Sequence, residues 1–472
     1  MRVGRIAGMH ETDVVVVGAG LAGLAAARAV VAGGREVVVL EGRDRVGGRT
    51  LNEPVGDRDD EVVELGGQWV GPTQHRLLAL ARELDVGTFP TYTTGESLFS
   101  FGGTVRRYRG TIPRINPAVL ADVGQAMARL NRMARTVPRE APWAARRAAA
   151  WDAQTFATWM RRNMATRGGR AVLQLALEGV WATDPSEPSL LHVLFYIASA
   201  GSLEALTDTE GGAQQDRFVG GSQLLSVRMA DQLGPERLVL GATVRAIAQD
   251  DHGVTVHATG AEDVTVRAAH AIVAIPVPLT ARIAWTPAVP HARDALTQRM
   301  AMGSVVKCMA IYDEPFWRAD GLSGTATEAD GPVKVMFDNT PPGGRPGVLL
   351  AFFEGRAAQQ AMRATQDERR AQVTRQLGAL FGPRAARPER YVDQAWGQEE
   401  LSRGCYGAYL PPGGWTGFGP ALREPVGRVH WAGAETATVW NGYMDGAVTS
   451  GERAASAVLR EAAAGIPQSR AV

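Results

Sequence analysis

"DVVVVGAGLAGLAAARAVVAGGREVVVLE" runs from Asp13 to Glu41 and decides the fold of the N-terminal part of the chain. Four consecutive valines without a polar interruption read as a strand buried on both faces of a parallel sheet. Gly18, Gly20 and Gly23 follow at G-x-G-x-x-G spacing and open an alanine-rich helix that Gly33 and Gly34 end. "REVVVL" makes a second strand with Glu41 at its tip. The glycines permit a tight turn, close backbone approach to a pyrophosphate and close packing of helix on strand. Helix N-terminal N–H groups then face the phosphates, and Glu41 is placed to accept hydrogen bonds from a ribose diol. A lone glycine motif is a weak signal, but strand, helix, strand and terminal acid agree here. An acid at that tip disfavours a 2′-phosphate, which leaves NAD and FAD as alternatives.

The 472 residues exceed what one hydrophobic core usually supports, so two domains are expected. Fifty basic and forty-nine acidic side chains leave a net charge of +1, with no long run of one sign. Nothing supplies the basic stripe that a nucleic acid or a membrane surface would require. The only cysteines are Cys308 and Cys405, which fits a reducing compartment and excludes a disulfide framework. The first residues, "MRVGRIAGMHETD", lack the apolar core of a signal peptide. No apolar stretch is long enough to span a bilayer, the short polar C-terminus included. The expectation is a soluble cytoplasmic protein. Apolar residues recur at helical spacing from about Tyr92 to Ala213, and the chain then returns to strand patterns through "RLVLGATVRAIAQDDHGVTVHA" and "AHAIVAIPVPL".

"EGRDRVGGRT" continues directly from the acid, with Arg43, Gly48 and Arg49, and "ELGGQWVGPTQ" adds Gly66, Gly67, Gln68 and Trp69. Together with "GGAQQDRFVGGSQ", "GSVVKC", "GCYGAYLPPG" and "WAGAETATVWNGYMDGA", these segments closely resemble the flavin-containing monoamine oxidase family. The resemblance runs from Asp13 to about Leu459 and implies FAD. It also implies an α/β architecture, the amine oxidase fold. In it a Rossmann-like FAD-binding domain (1–91, 214–291 and 391–472) joins a discontinuous α+β substrate-binding domain (92–213 and 292–390).

Through the resemblance, Lys307 stands where the family's lysine hydrogen-bonds a water at flavin N5. Lysine occurs only twice in the chain, at Lys307 and Lys334, and the first sits in an apolar strand. A buried ammonium is costly unless it is paired or its pKa falls; the plainer alternative is a lysine whose stem packs and whose head reaches water. Tyr406 and Tyr443 match the two family tyrosines that cage the substrate amine, although either ring alone would read as core packing. The resemblance also places Val244 at the adenine, and Trp396 and Met444 near the flavin. Glu435 falls at the pyrophosphate or ribityl chain by the same matching. Cys405 occupies the position at which animal members attach FAD through a thioether, and soluble bacterial members commonly lack that bond; both states stay open. Cys308 is expected to pack on the opposite face of its strand. Gln214, Leu206, Val335 and Phe352 match substrate-side positions, with a surface loop as the competing reading of Gln214.

The expected activity is FAD-dependent oxidation of amines, primary monoamines first, to imine and aldehyde while oxygen is reduced to hydrogen peroxide. Polyamine and L-amino-acid oxidation are the alternatives within the fold. Polyamines would favour acidic residues along the access path, and amino acids would need an arginine for the carboxylate. A non-catalytic flavin-binding interaction protein is the alternative of another class. The partners expected are a small amine and oxygen, with a second copy of the chain as the candidate protein partner. No metal is expected, because the eight histidines show no ligand spacing.

Overall fold

The computed structural model describes residues 8–110 and 116–464. The leader reading of residues 1–7 and the polar tail from 465 lie outside the described residues. Two large sheets organise the rest. The first has eight strands in the order Leu238–Val239, Val37–Leu40, Gly8–Val17, Val264–Val273, Val254–Thr259, Thr243–Gln249 and Ala284–Thr286, and Val429–Trp431 also pairs with Val264–Val273. Val14 to Val17 form its centre, with parallel partners Val37–Leu40 on one side and His270–Val273 on the other. Burial on both faces explains why no polar residue interrupts the valine run. The strand starts at Gly8 rather than Asp13, because Val264–Val273 extends far enough to pair with Gly8 through Thr12.

Helix Leu21–Ala32 covers one face beside the long C-terminal helix Met444–Ala464. The two approach so closely that a Cβ at Gly451 would lie 2.0 Å from the Ala22 carbonyl oxygen. The second sheet has seven strands in the order Arg390–Ala395, Val305–Tyr312, Gly347–Glu354, Val335–Asp338, Leu322–Glu328, Glu96–Phe101 and Thr104–Tyr108. The last two form a hairpin inside the stretch expected to be helical from Tyr92; "ESLFSF" alternates with a strand's period, and helix begins only at Pro117. Helices from Pro117 to Thr207 then build a separate apolar cluster, in which Leu190–Ala200 is buried on nearly all sides. Among the described residues no helix is long and apolar enough to cross a membrane.

Candidate active site

One deep cleft runs from the end of the first sheet to the face of the second. It encloses about 1830 Å³ counting its open mouth. At one end, Gly18 turns with φ +101°, and a Cβ at Gly23 would stand 1.8 Å from the Gly18 carbonyl oxygen. Gly23 therefore lies behind the wall and lets the helix seat against the turn, while Gly18 and Gly20 line the cleft. The helix that starts at Leu21 has no side-chain cap and no acidic residue in its first turn. Its free N–H groups and dipole suit a diphosphate. Glu41 is buried; its Oε2 accepts from the Ala19 N–H (2.8 Å) and its Oε1 from the Arg43 N–H (2.9 Å). Arg43 donates to Glu399 and Ser402, and Val244 forms the neighbouring wall. Arg45 braces the next turn by donating to the carbonyls of Gly48 and Thr50.

Lys307 lies mid-strand with only 3% of its surface exposed, which removes the snorkelling alternative. Its Nζ donates to the Gly66 carbonyl (2.8 Å) and to Gln68 Oε1. Gln68 in turn donates to Asn339 (2.8 Å). Burial pushes Lys307 down to about 7, with the charge of Glu64 opposing and that of Arg217 reinforcing the shift. Glu64 and Arg217 form a fully buried ion pair at 2.6 Å behind it. Trp69 and Phe352 each place a ring centroid 5.7 Å from the Lys307 nitrogen. Cys308 points to the other face, into the core with Val306 and Ala310.

Tyr406 and Tyr443 reach the same cleft from segments far apart in the chain. Tyr443 packs edge-on against Trp440 at 4.9 Å and faces Tyr196 at 5.9 Å. Tyr406 packs against Phe352 at 6.4 Å and donates its hydroxyl to Glu354 at 2.9 Å. Burial raises both phenols, so they stay protonated at neutral pH. Cys405 lines the cleft as a free, buried thiol. Burial pushes it up to about 12 against the opposing charge of Arg49.

The remaining matched residues divide. Gly48, Arg49, Gly66, Gly67, Gln68, Trp69, Gln214, Phe352 and Met444 line the cleft; Glu435, Trp396, Leu206 and Val335 do not. Arg49 is not free for a phosphate, because it donates to both oxygens of Glu435 (2.5 and 3.0 Å) and to the Tyr406 carbonyl (2.8 Å). Trp396 is buried behind the wall, where it donates to the Leu65 carbonyl at 2.8 Å and so holds the Gly66–Gly67 turn. Leu206 is fully buried and accepts from Gln214 Nε2 at 3.1 Å, leaving Gln214 Oε1 unpartnered. Val335 sits across from Phe352 in the sheet.

Residues 21–459 match the family model described as flavin containing amine oxidoreductase. The chain belongs to that family. It is 43% identical over 446 residues to the Mycobacterium tuberculosis chain that carries the name flavin-containing monoamine oxidase AofH, covering 94% of this chain and 96% of that one. It is 35% identical over 451 residues to the flavin-containing amine oxidase A of Bos taurus, covering 95% and 85% respectively. Among solved structures, putrescine oxidase bound to putrescine superposes with a TM-score of 0.91 at 35% identity, over 96% of this chain and all of that one. Cyclohexylamine oxidase from Brevibacterium oxydans does so with a TM-score of 0.90 at 33% identity, over 96% and 99%. The flavin amine oxidase fold and an amine-oxidising enzyme are thus established for this chain.

In this flavin amine oxidase, sequence reasoning passed over five residues that build the site: Tyr196, Glu64, Arg217, Asn339 and Glu354. Tyr196 sits in an apolar helix where tyrosine reads as packing; a glycine at 442 was the available signal, since a Cβ there would meet the Tyr196 hydroxyl at 2.7 Å. Glu64 and Arg217 are ordinary charges in sequence and become partners only across 153 residues.

Proposed function

We propose that this flavin amine oxidase takes a primary amine between Tyr406 and Tyr443 and oxidises the carbon that bears the nitrogen. The imine is then hydrolysed to aldehyde and ammonia, and oxygen is reduced to hydrogen peroxide. The carrying observation is that Lys307, Tyr406 and Tyr443 share one cleft with a diphosphate-compatible helix end. Bound FAD supplies the two-electron acceptor and the route to oxygen. The chain supplies the rest. Gly18, Gly20, Gly48 and the free helix N–H groups would hold the diphosphate, Glu41 the ribose, and Val244 the adenine side. The phenol faces of Tyr406 and Tyr443 steer the amine, and burial keeps both phenols protonated beside it. Lys307, pushed down to about 7, can hold or release a proton at Nζ near neutral pH.

The L-amino-acid alternative fares worse. The arginines lining the cleft are engaged: Arg49 with Glu435, Arg43 with Glu399, Arg245 with Thr259 and Arg282 with the Glu400 carbonyl. A thioether from Cys405 is the finer reading of cofactor attachment, supported by a free thiol that lines the cleft. One S–H bond and one C–H bond of a flavin carbon would be replaced by a bond from sulfur to that carbon, and the two protons and two electrons released would reduce oxygen to hydrogen peroxide. The division of strands between two sheets supports the FAD-binding and substrate-binding units expected from sequence. The two free, buried cysteines support a reducing, cytoplasmic setting.

The test is a panel of primary amines with peroxide readout on flavin-loaded wild type and Lys307→Met. Wild type is expected to turn over several amines, and the variant to keep its flavin while losing turnover or flavin reoxidation rate. Flavin-loaded wild type that makes no peroxide from any amine would overturn the reading.

A further inference from the structure

Far from the cleft, a cluster of donor side chains forms where the last turns of helix Met444–Ala464 cross the first sheet. His270 belongs to strand Val264–Val273, and His430 to its parallel neighbour Val429–Trp431. His430 stands opposite Ile272, two residues past His270, so both imidazoles project from the face that carries Ile272. Val458 of the helix packs in the same apolar cluster as Ile272. Glu461 follows Val458 by three residues and brings its carboxylate to the histidines from that side of the helix. The two imidazole centroids are 5.7 Å apart.

The donor atoms converge. His430 Nε2 lies 3.2 Å and His270 Nδ1 3.7 Å from the same oxygen, Glu461 Oε2. One ligand atom from each of the three residues lies within 4.8 Å of the other two. Tetrahedral zinc, with bonds of about 2.0–2.1 Å, sets its ligands roughly 3.3 Å apart, so small side-chain rotations close this set around an ion. Hydrogen bonding serves the cluster less well. At 3.7 Å His270 is beyond hydrogen-bond reach of the carboxylate, and its buried Nδ1 has no hydrogen-bond partner among the described residues. A shared proton satisfies one imidazole, whereas a cation accepts a lone pair from both. Burial lowers both imidazoles, which keeps those lone pairs available at neutral pH. Arg428 and Arg453, the nearby cations, donate to the carbonyls of Asp251 and Trp431. Both histidines are buried, and the 30% exposed side chain of Glu461 gives an ion its way in.

We propose that His270, His430 and Glu461 bind a divalent transition ion of the zinc class, which clamps the end of the C-terminal helix to the first sheet. Two imidazoles and one carboxylate suit zinc, whereas magnesium and calcium prefer oxygen alone. Three protein ligands leave a fourth position for water. Spacing along the chain predicts no metal, because the two histidines meet only through the parallel pairing of their strands.

The site stands apart from the amine chemistry and acts on the fold. Met444 and Ala447, at the other end of the same helix, line the cleft; at 1.5 Å per residue Glu461 is about 26 Å from Met444 along the axis. An ion bound by the folded chain stabilises it in proportion to its affinity and concentration.

The experiment titrates chelator-treated, flavin-loaded enzyme with zinc chloride by equilibrium dialysis and follows the melting temperature, in wild type, Glu461→Gln, His430→Gln and the exposed-histidine control His257→Asn. Wild type and H257N are expected to take one zinc per chain at micromolar concentration and to melt higher with it, with no rise from magnesium. Loss of a ligand in E461Q or H430Q is expected to weaken zinc by about a hundredfold and to remove the rise, while flavin content stays at the wild-type level. Cobalt(II) in place of zinc should give wild type a tetrahedral absorption band to the red of the flavin, and E461Q none. A wild type that takes up no zinc at these concentrations overturns the proposal. So does zinc held as tightly by E461Q and H430Q as by wild type, or a melting rise that magnesium reproduces. Should H430Q fail to fold, E461Q, altered at a partly exposed side chain, decides the matter by the same criteria.

Discussion

Arg49 grips Glu435 with both terminal nitrogens, at 2.5 and 3.0 Å, across 386 residues of chain. The same guanidinium donates to the Tyr406 carbonyl, and Glu435 also accepts from the Ala408 N–H. A turn beside the cofactor end of the cleft is thereby locked to the loop that carries Cys405 and Tyr406. Burial disfavours both charges, but each partner overrides it: the Arg49 charge holds the Glu435 carboxyl below its usual range, and Glu435 raises Arg49.

Breaking that pair from one side should be expensive. Glu435→Ala strands a largely buried guanidinium and is expected to cost about 3–5 kcal/mol in urea unfolding. The double variant Arg49→Met, Glu435→Met should lose less than the sum of the two single Met changes, because neither charge is left alone. Strict additivity would mean that the two residues do not work as a unit.

Lys307 should make stability rise with pH above neutrality. Its folded pKa, lowered to about 7 by burial, lies below the unfolded value near 10.4. Between those values the unfolded chain binds more protons, so the penalty is full below 7 and is relieved as pH rises toward 10. Wild type should gain on Lys307→Met by about 1.4 kcal/mol per pH unit across that window. Urea unfolding of both flavin-loaded proteins at pH 7, 8 and 9 measures it; parallel pH profiles would show a lysine that titrates normally.

Gly23→Ala should abolish flavin retention, since its Cβ would stand 1.8 Å from a backbone oxygen of the phosphate turn. Gly124→Ala is the control. It lies inside helix Pro117–Ala134 with nothing within 4 Å of a new Cβ, and should stabilise by roughly 0.4–1 kcal/mol. Flavin absorbance after gel filtration and a thermal melt report both.

Acid precipitation should leave yellow colour on the polypeptide of wild type and release it from Cys405→Ala. Colour in the wild-type supernatant would reject the thioether, and Cys405, raised to about 12 by burial, would then be an inert thiol.

The cofactor end was legible from the residues alone, because its logic is local. Spacing of Gly18, Gly20 and Gly23, an uninterrupted valine strand and an acid at the next strand's tip are constraints within thirty residues. The anomaly of Lys307 was legible for the same reason, as a charge set in an apolar run. Position along the motifs could also name Tyr406 and Tyr443. It could not say that Arg49 would spend its charge on Glu435 or that Trp396 would stand behind the wall. Tyr196, Arg217 and Glu354 carried no local signal, since tyrosine packs in any helix and charges face solvent in most strands. Those roles emerge with the folded chain, because partnership and burial are properties of distances between segments. Those distances exist once the two sheets and the helix ending at Trp181 close around one cleft.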